Sequence, residues 1–365
     1  MNQISGHVFT FGVLLLLGAP PALTQESYRR LEGGGSIEIR NDYFFAADDP
    51  NAKLNDLFAD AELDLTIWFT PAFSLQTELE FTPVSDPGPA DDRLFEDHGL
   101  AIKQLFLRYE TGAFAFHGGK FNPPFGLAWD LAPGIYGADF AGDYELDERI
   151  GLGGAIAFDG DIDDRSPGVR RLSAAAFFAD TTSLSRSIFT DRGRLTGAAG
   201  GVGNTDDLSS FSITFDGGGL AFLPEIRYHL GYEFQKRGEG DPENERGVVT
   251  GLHGEFEADA GLRLEAMVEL ACLAGAEGQA QDRTYVTAGG MLSRAPWSFA
   301  LVYAWRATDA DDPALSDADD HLFQLSTGYE FTPELRLDLG YRFSRENGGA
   351  THAVGLLFTY SFDLE

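Results

Sequence analysis

From Leu57 to Phe69 the residues alternate without a break. Leu57, Ala59, Ala61, Leu63, Leu65, Ile67 and Phe69 share one face, and Asp60, Glu62, Asp64 and Thr66 share the other. Period two belongs to an extended strand; an amphipathic helix would scatter the same acids around its circumference. The same two-faced pattern runs to the end of the chain. Phe73, Leu75, Thr77, Leu79 and Phe81 oppose Ser74, Gln76, Glu78 and Glu80, and Leu262, Leu264, Ala266, Val268 and Leu270 oppose Arg263, Glu265 and Glu269. Trp297, Phe299, Leu301, Tyr303 and Trp305 set aromatics at both ends of one face, where a lipid-facing strand meets two interfaces. Val354, Leu356, Phe358, Tyr360 and Phe362 close the series.

A soluble sandwich or propeller would bury these aromatic faces against another sheet, and it has no reason to charge nearly every opposite position. A barrel with lipid outside and water inside accounts for both faces at once. The expected fold is therefore all-β, a transmembrane antiparallel up-and-down barrel. Counting alternating segments from residue 33 yields about sixteen strands, an even number as such barrels require. Short turns are expected near Pro71, Thr111-Gly112, Gly217–Gly219, Asp259-Ala260, Ala295-Pro296 and Thr332-Pro333. Longer loops are expected at 47–56, 83–97, 122–144, 181–207, 237–246, 273–281 and 309–319, with 159–168 long for its side.

Residues 1–24 have the layout of a secretory leader. Val8–Leu17 is a short apolar core, broken by Pro20 and Pro21, and Ala22-Leu23-Thr24 offers small residues for cleavage before Gln25. The core falls well short of the roughly 20 residues of a helical span. This places the barrel in 25–365 and points to export to a bacterial outer membrane. The lone cysteine, Cys272, excludes an intramolecular disulfide framework and reads as a small apolar filler. With 26 Lys+Arg against 58 Asp+Glu, the chain has a formal charge of -32. A nucleic-acid partner needs a basic face, and this balance leaves none. The acidity instead suits a lumen that meets cations, or a rim binding divalent ions among lipopolysaccharide.

The stretch 121–144 is long, carries prolines, and holds Phe125, Trp129, Ile135, Tyr136 and Phe140. That content suits a loop packed against an inner wall better than one in solvent, so it is the candidate constriction loop. At its start, Gly119-Lys120-Phe121-Asn122-Pro123-Pro124-Phe125-Gly126 resembles a stretch of the phosphate-selective (O and P type) porin family. The match covers some ten residues, with Lys120, Phe121, Pro123, Pro124, Phe125 and Gly126 as its motif. The resemblance implies a sixteen-stranded, trimeric diffusion channel. It does not carry anion selectivity with it, because that family uses a ladder of inward bases and this chain is acidic.

Selectivity in such a channel comes from fixed charge around the lumen. The candidate acidic side of the constriction is Asp130, Asp139, Asp143, Glu145 and Asp147. The candidate basic wall is Arg40, Arg108, Lys120, Arg149 and Arg342. Further inward acids include Asp60, Glu62, Asp64, Glu78, Glu80, Glu255, Glu257, Glu265 and Glu269, and further bases Arg227, Arg263, Arg306 and Arg336. As a set they favour cations. Any one of them is first of all polar lining that a wet lumen needs anyway.

Other motifs are weaker. Asp159-Gly160-Asp161-Ile162-Asp163-Asp164 lacks the closing Glu of a calcium loop, and Gly197–Gly203 lacks the Lys-Ser/Thr of a phosphate loop. No cofactor or metal is expected. The expected partners are outer-membrane lipid and lipopolysaccharide, small hydrophilic solutes, and two further copies of the chain. Two alternatives stand beside the channel: a barrel-type lipase or protease, with His321 and Asp319 or Asp320 as its faint candidate pair, and an anchor or adhesin with a plugged lumen.

Overall fold

The computed structural model describes residues 30–162, 164, 168–220, 223–258 and 261–364. The expected leader at 1–24 and the expected turn at Asp259-Ala260 lie outside these residues. Among the described residues sixteen strands close into one antiparallel barrel. The first eight are β1 (Arg30–Ala47), β2 (Asn55–Thr70), β3 (Phe73–Pro83), β4 (His98–Thr111), β5 (Phe114–Phe121), β6 (Arg149–Phe158), β7 (Arg170–Ala179) and β8 (Ser210–Leu220). The rest are β9 (Leu223–Gln235), β10 (Glu245–Ala258), β11 (Leu262–Ala274), β12 (Gln281–Arg294), β13 (Trp297–Ala310), β14 (Ala318–Thr332), β15 (Leu335–Glu346) and β16 (Gly349–Leu364). Each strand pairs with its sequence neighbours, and β1 closes the ring on β16 from Gly33↔Leu364 to Ala47↔Thr351. Closure removes the sheet edges that lipid could not satisfy.

The alternation divides the side chains as expected. On β13, Trp297, Phe299, Leu301 and Tyr303 stand outward and exposed, while Ser298, Ala300, Val302 and Ala304 point inward and are buried. Cys272 faces outward with its neighbours Leu270 and Ala274, rather than filling a core. One expected turn is displaced. Gly217–Gly219 belong to β8, where the register shifts between Gly218 and Leu220. Gly217 leaves room for the Tyr228 ring, whose hydroxyl would lie 2.4 Å from a Cβ there. The side that carries the long loops also holds one tight hairpin. Asn347-Gly348 joins β15 to β16 with φ of 50° and 82°, the paired positive values of a two-residue turn.

The barrel wall is lowest at β5, which has 8 residues. There the chain leaves the wall for loop 3, residues 122–148, and returns as β6. Above β5, residues 187–189 of loop 4, residues 180–209, pair with Gly99–Ala101 of β4 and complete the wall.

The buried core lies inside the barrel. Phe125, Phe140, Tyr144 and Leu146 of loop 3 pack on Val249, Ala271, Leu273, Tyr285, Ala304 and Leu322 of β10–β14. The inner face of those strands thus sets small and apolar side chains among polar ones such as Glu269, Thr287, Asp320 and Gln324, where the alternation predicts polar lining throughout. Loop 3 takes the place of water on that side.

Candidate functional site

Loop 3 is held at its start by a buried cation. Lys120 is 1% exposed and pairs with Glu148 at 2.7 Å and Asp180 at 2.9 Å. Phe121 stacks edge-on against His117, Pro123 is buried, and Phe125 sits edge-on to Tyr144. Gly126, at φ 79°, donates its N–H to His229 Nε2 at 3.1 Å, and the ring is fixed by Asp216 on Nδ1. The motif of the sequence is therefore the hinge on which the loop turns into the barrel.

Beyond the hinge, the loop crosses to the far wall and is pinned strand by strand. Glu269 of β11 accepts the N–H groups of Leu127 and Ala128 at 2.7 and 3.0 Å, and the Tyr144 hydroxyl at 2.8 Å. A short helix, α1 (Ala128–Leu131), starts on that carboxylate. Gln324 of β14 donates to the Pro133 carbonyl. The Tyr136 hydroxyl donates to Asp42 of β1 at 2.7 Å, and the Arg40 guanidinium lies 4.7 Å from the Tyr136 ring centre. Asp139 pairs with Arg342 of β15 at 2.9 Å, and Asp143 with Arg306 of β13 at 2.7 Å. The inner wall is notched to admit the loop. A Cβ on Gly247 would meet the Phe125 ring at 2.6 Å, and one on Gly355 the Tyr136 hydroxyl at 2.3 Å.

The returning end of the loop is built around Glu148, a residue at φ 53°. Its carboxylate faces Lys103 of β4 at 3.1 Å, Lys120 of β5, and Arg192 of loop 4. Its N–H donates to Asn122 Oδ1, which ties the two ends of the loop together. Burial pushes the Glu148 carboxyl up, but the Arg192 hydrogen bond and the charges of Lys103 and Lys120 outweigh it and hold it at about 2.

These contacts sort the candidate site residues. Asp139 and Asp143 do not face arginines across open space; they are bonded to Arg342 and Arg306 and fasten the loop. Arg40 pairs with Asp42 and stacks on Tyr136. Lys120 is sealed from water, which corrects its expected place on the pore wall. Arg149 belongs with the buried Glu233 and Glu245 and lines a cavity of about 400 Å³ between the end of loop 3 and loop 4. Arg108 pairs with Glu110 on its own strand. Asp130 is exposed beside Arg171, Arg227 and His253.

Glu145 and Asp147 go the other way, toward β2 and β3. There Asp60, Glu62, Asp64, Glu78 and Glu80 form an inward acidic strip, and the carboxylate oxygens of Glu62, Asp64 and Glu78 lie within 4.8 Å of one another. A cavity of about 480 Å³ opens against this strip at Glu32, Ser36, Glu62 and Asp64. Burial, then Asp147, raises the Glu145 carboxyl to about 7.

Lys103, Glu148 and Arg192 escaped the sequence reading. The signal for Lys103 was present: the apolar phase is Leu100, Ile102 above it and Leu105, Leu107, Tyr109 below. His321 stands outward on β14, 3.5 Å from Asp319 and 2.9 Å from the Tyr303 hydroxyl, whereas Asp320 points inward to Arg306. Asp320 therefore does not join His321 as a pair.

No family model matches the chain, and no curated protein does. Similarity to solved structures is extensive but distant. The trimer form of OmpT of Vibrio cholerae is 12% identical, with 91% of this chain and 99% of that chain covered and a TM-score of 0.54. OpdK of Pseudomonas aeruginosa with vanillate is 10% identical, with 92% and 99% covered and a TM-score of 0.53. OprB of Pseudomonas putida is 12% identical, with 92% and 94% covered and a TM-score of 0.56. These matches do not single out the phosphate-selective porins. The chain has the fold of a sixteen-stranded porin-like outer-membrane barrel.

Proposed function

We propose that this protein is an outer-membrane diffusion channel for small hydrophilic solutes, with a preference for cations. The observation that carries the preference is the asymmetry of the lumen. Loop 3 covers the wall of β10–β14 and engages Arg40, Arg306 and Arg342. The acids of β2 and β3, with Glu145 and Asp147 of the loop, are left beside the remaining passage. Fixed negative charge along a narrow aqueous path raises the local concentration of cations and lowers that of anions. Loop 3 is the constriction, and its acidic edge is Glu145 with the Lys103-paired Asp147, rather than the arginine-bonded Asp139 and Asp143. The likeness to the trimer form of OmpT supports a homotrimer, and residues 1–24 support export with cleavage before Gln25.

Planar-bilayer recording of the purified protein tests the function. Stepwise ohmic conductance is expected, with a reversal potential in a potassium chloride gradient that favours potassium. Silence over many insertions would sink the channel in favour of a plugged anchor. An anion-favouring potential would remove the cation preference alone.

A further inference from the structure

We propose that Lys103 sets the selectivity of this passage, as a cation placed by a β-bulge into an otherwise acidic wall. The proposal rests on the channel function above.

Strand register supplies the first part of the argument. On β4, Leu100 and Ile102 pair with Phe81 and Leu79, while Gln104 and Leu105 pair with Glu78 and Thr77. Lys103 is the extra residue between these two runs. Above it, even-numbered side chains face lipid; below it, odd-numbered ones do. An unbroken strand would put either Lys103 or Gln104 into the hydrocarbon, where a polar or charged side chain is destabilising. The bulge turns both inward, which is what bulges beside functional sites do to a side chain.

The second part is where the ammonium lands. It lies 2.5 Å from Asp147, 3.1 Å from Glu148 and 3.6 Å from Glu80, and only 16% of the side chain is exposed. Glu80 belongs to the wall, and Asp147 and Glu148 to the end of loop 3. Lys103 therefore ties the end of loop 3 to the acidic wall. It draws the loop toward β3 and cancels negative charge where Glu145, Glu78 and Glu80 would otherwise act together. Glu148 has two further cations and needs Lys103 least; Asp147 and Glu80 are the acids its removal would release.

The test is selectivity of the full-length protein in planar bilayers with potassium chloride gradients. Lys103→Met is expected to raise the potassium-over-chloride permeability ratio severalfold and to increase conductance. Lys103→Arg, which keeps the charge, is expected to stay near the native ratio. Folding is checked by the compact mobility of the unheated barrel on gels, with Lys103→Gln as a second neutral variant. A conducting Lys103→Met channel with the native ratio would overturn this proposal and leave the channel standing. A native protein that never conducts would overturn both. Failure of both neutral variants to fold would make Lys103 a structural residue and also overturn the proposal.

Discussion

Glu148 shows how much of the site depends on single side chains. A non-glycine residue at φ 53° is tolerated only where its surroundings hold it, and here three cations and the Asn122 side chain do so. Removing its charge leaves the buried Lys120 with Asp180 as its one anionic partner among the described residues, beside the Leu184 carbonyl. Glu148→Gln is therefore expected to destabilise by about 3–5 kcal/mol, the usual range for breaking a buried pair, as read by denaturant unfolding in micelles. Glu145 offers a test by pH. Its carboxyl is raised to about 7, mainly by burial, so it is neutral in acid and anionic above neutrality. Cation preference should rise as pH increases from 5 to 9, and Glu145→Gln should flatten that rise. The same shift has a stability consequence of fixed sign. A carboxyl raised in the folded state favours folding at low pH, and that contribution is lost as pH climbs through 7.

Among the elements, loop 3 is the one whose place was least visible in advance. Its length, prolines and aromatics marked it as a packed loop, and the Lys120–Gly126 motif marked its start. Its route was not legible, because it is written in distant small residues. Gly247 and Gly355 read as gaps in two strand patterns, yet they are the notches that seat Phe125 and Tyr136. Gly355→Val should unseat Tyr136 and widen the passage, giving larger and noisier conductance with the barrel intact. Glu269 faces inward as expected, but it caps α1 and holds Tyr144, so it serves the loop before any ion. On β4, the change of apolar phase at Lys103 could have been seen, but alternation counted in fixed steps passes over an inserted residue.

For the whole molecule, stability in a bilayer depends on the outward face staying apolar. Leu301, outward and half exposed midway along β13, should show this directly. Leu301→Arg is expected to cost about 2–4 kcal/mol in folding into lipid vesicles, while a polar change at the inward Ser326 should cost far less. What the sequence by itself determined was the strand, its two faces, the even count near sixteen and the closed barrel. Those follow from period-two local geometry and from the rule that lipid cannot satisfy a sheet edge. What only the tertiary structure decided was which charges meet. Asp139, Asp143, Glu145 and Asp147 look alike along the chain. The path of loop 3 bonds the first two to Arg342 and Arg306 on β15 and β13, and turns the last two toward Lys103 and the acidic strip. The two pairings with arginine join residues more than 160 positions apart, and that with Lys103 spans 44, so none of them can be read from local sequence.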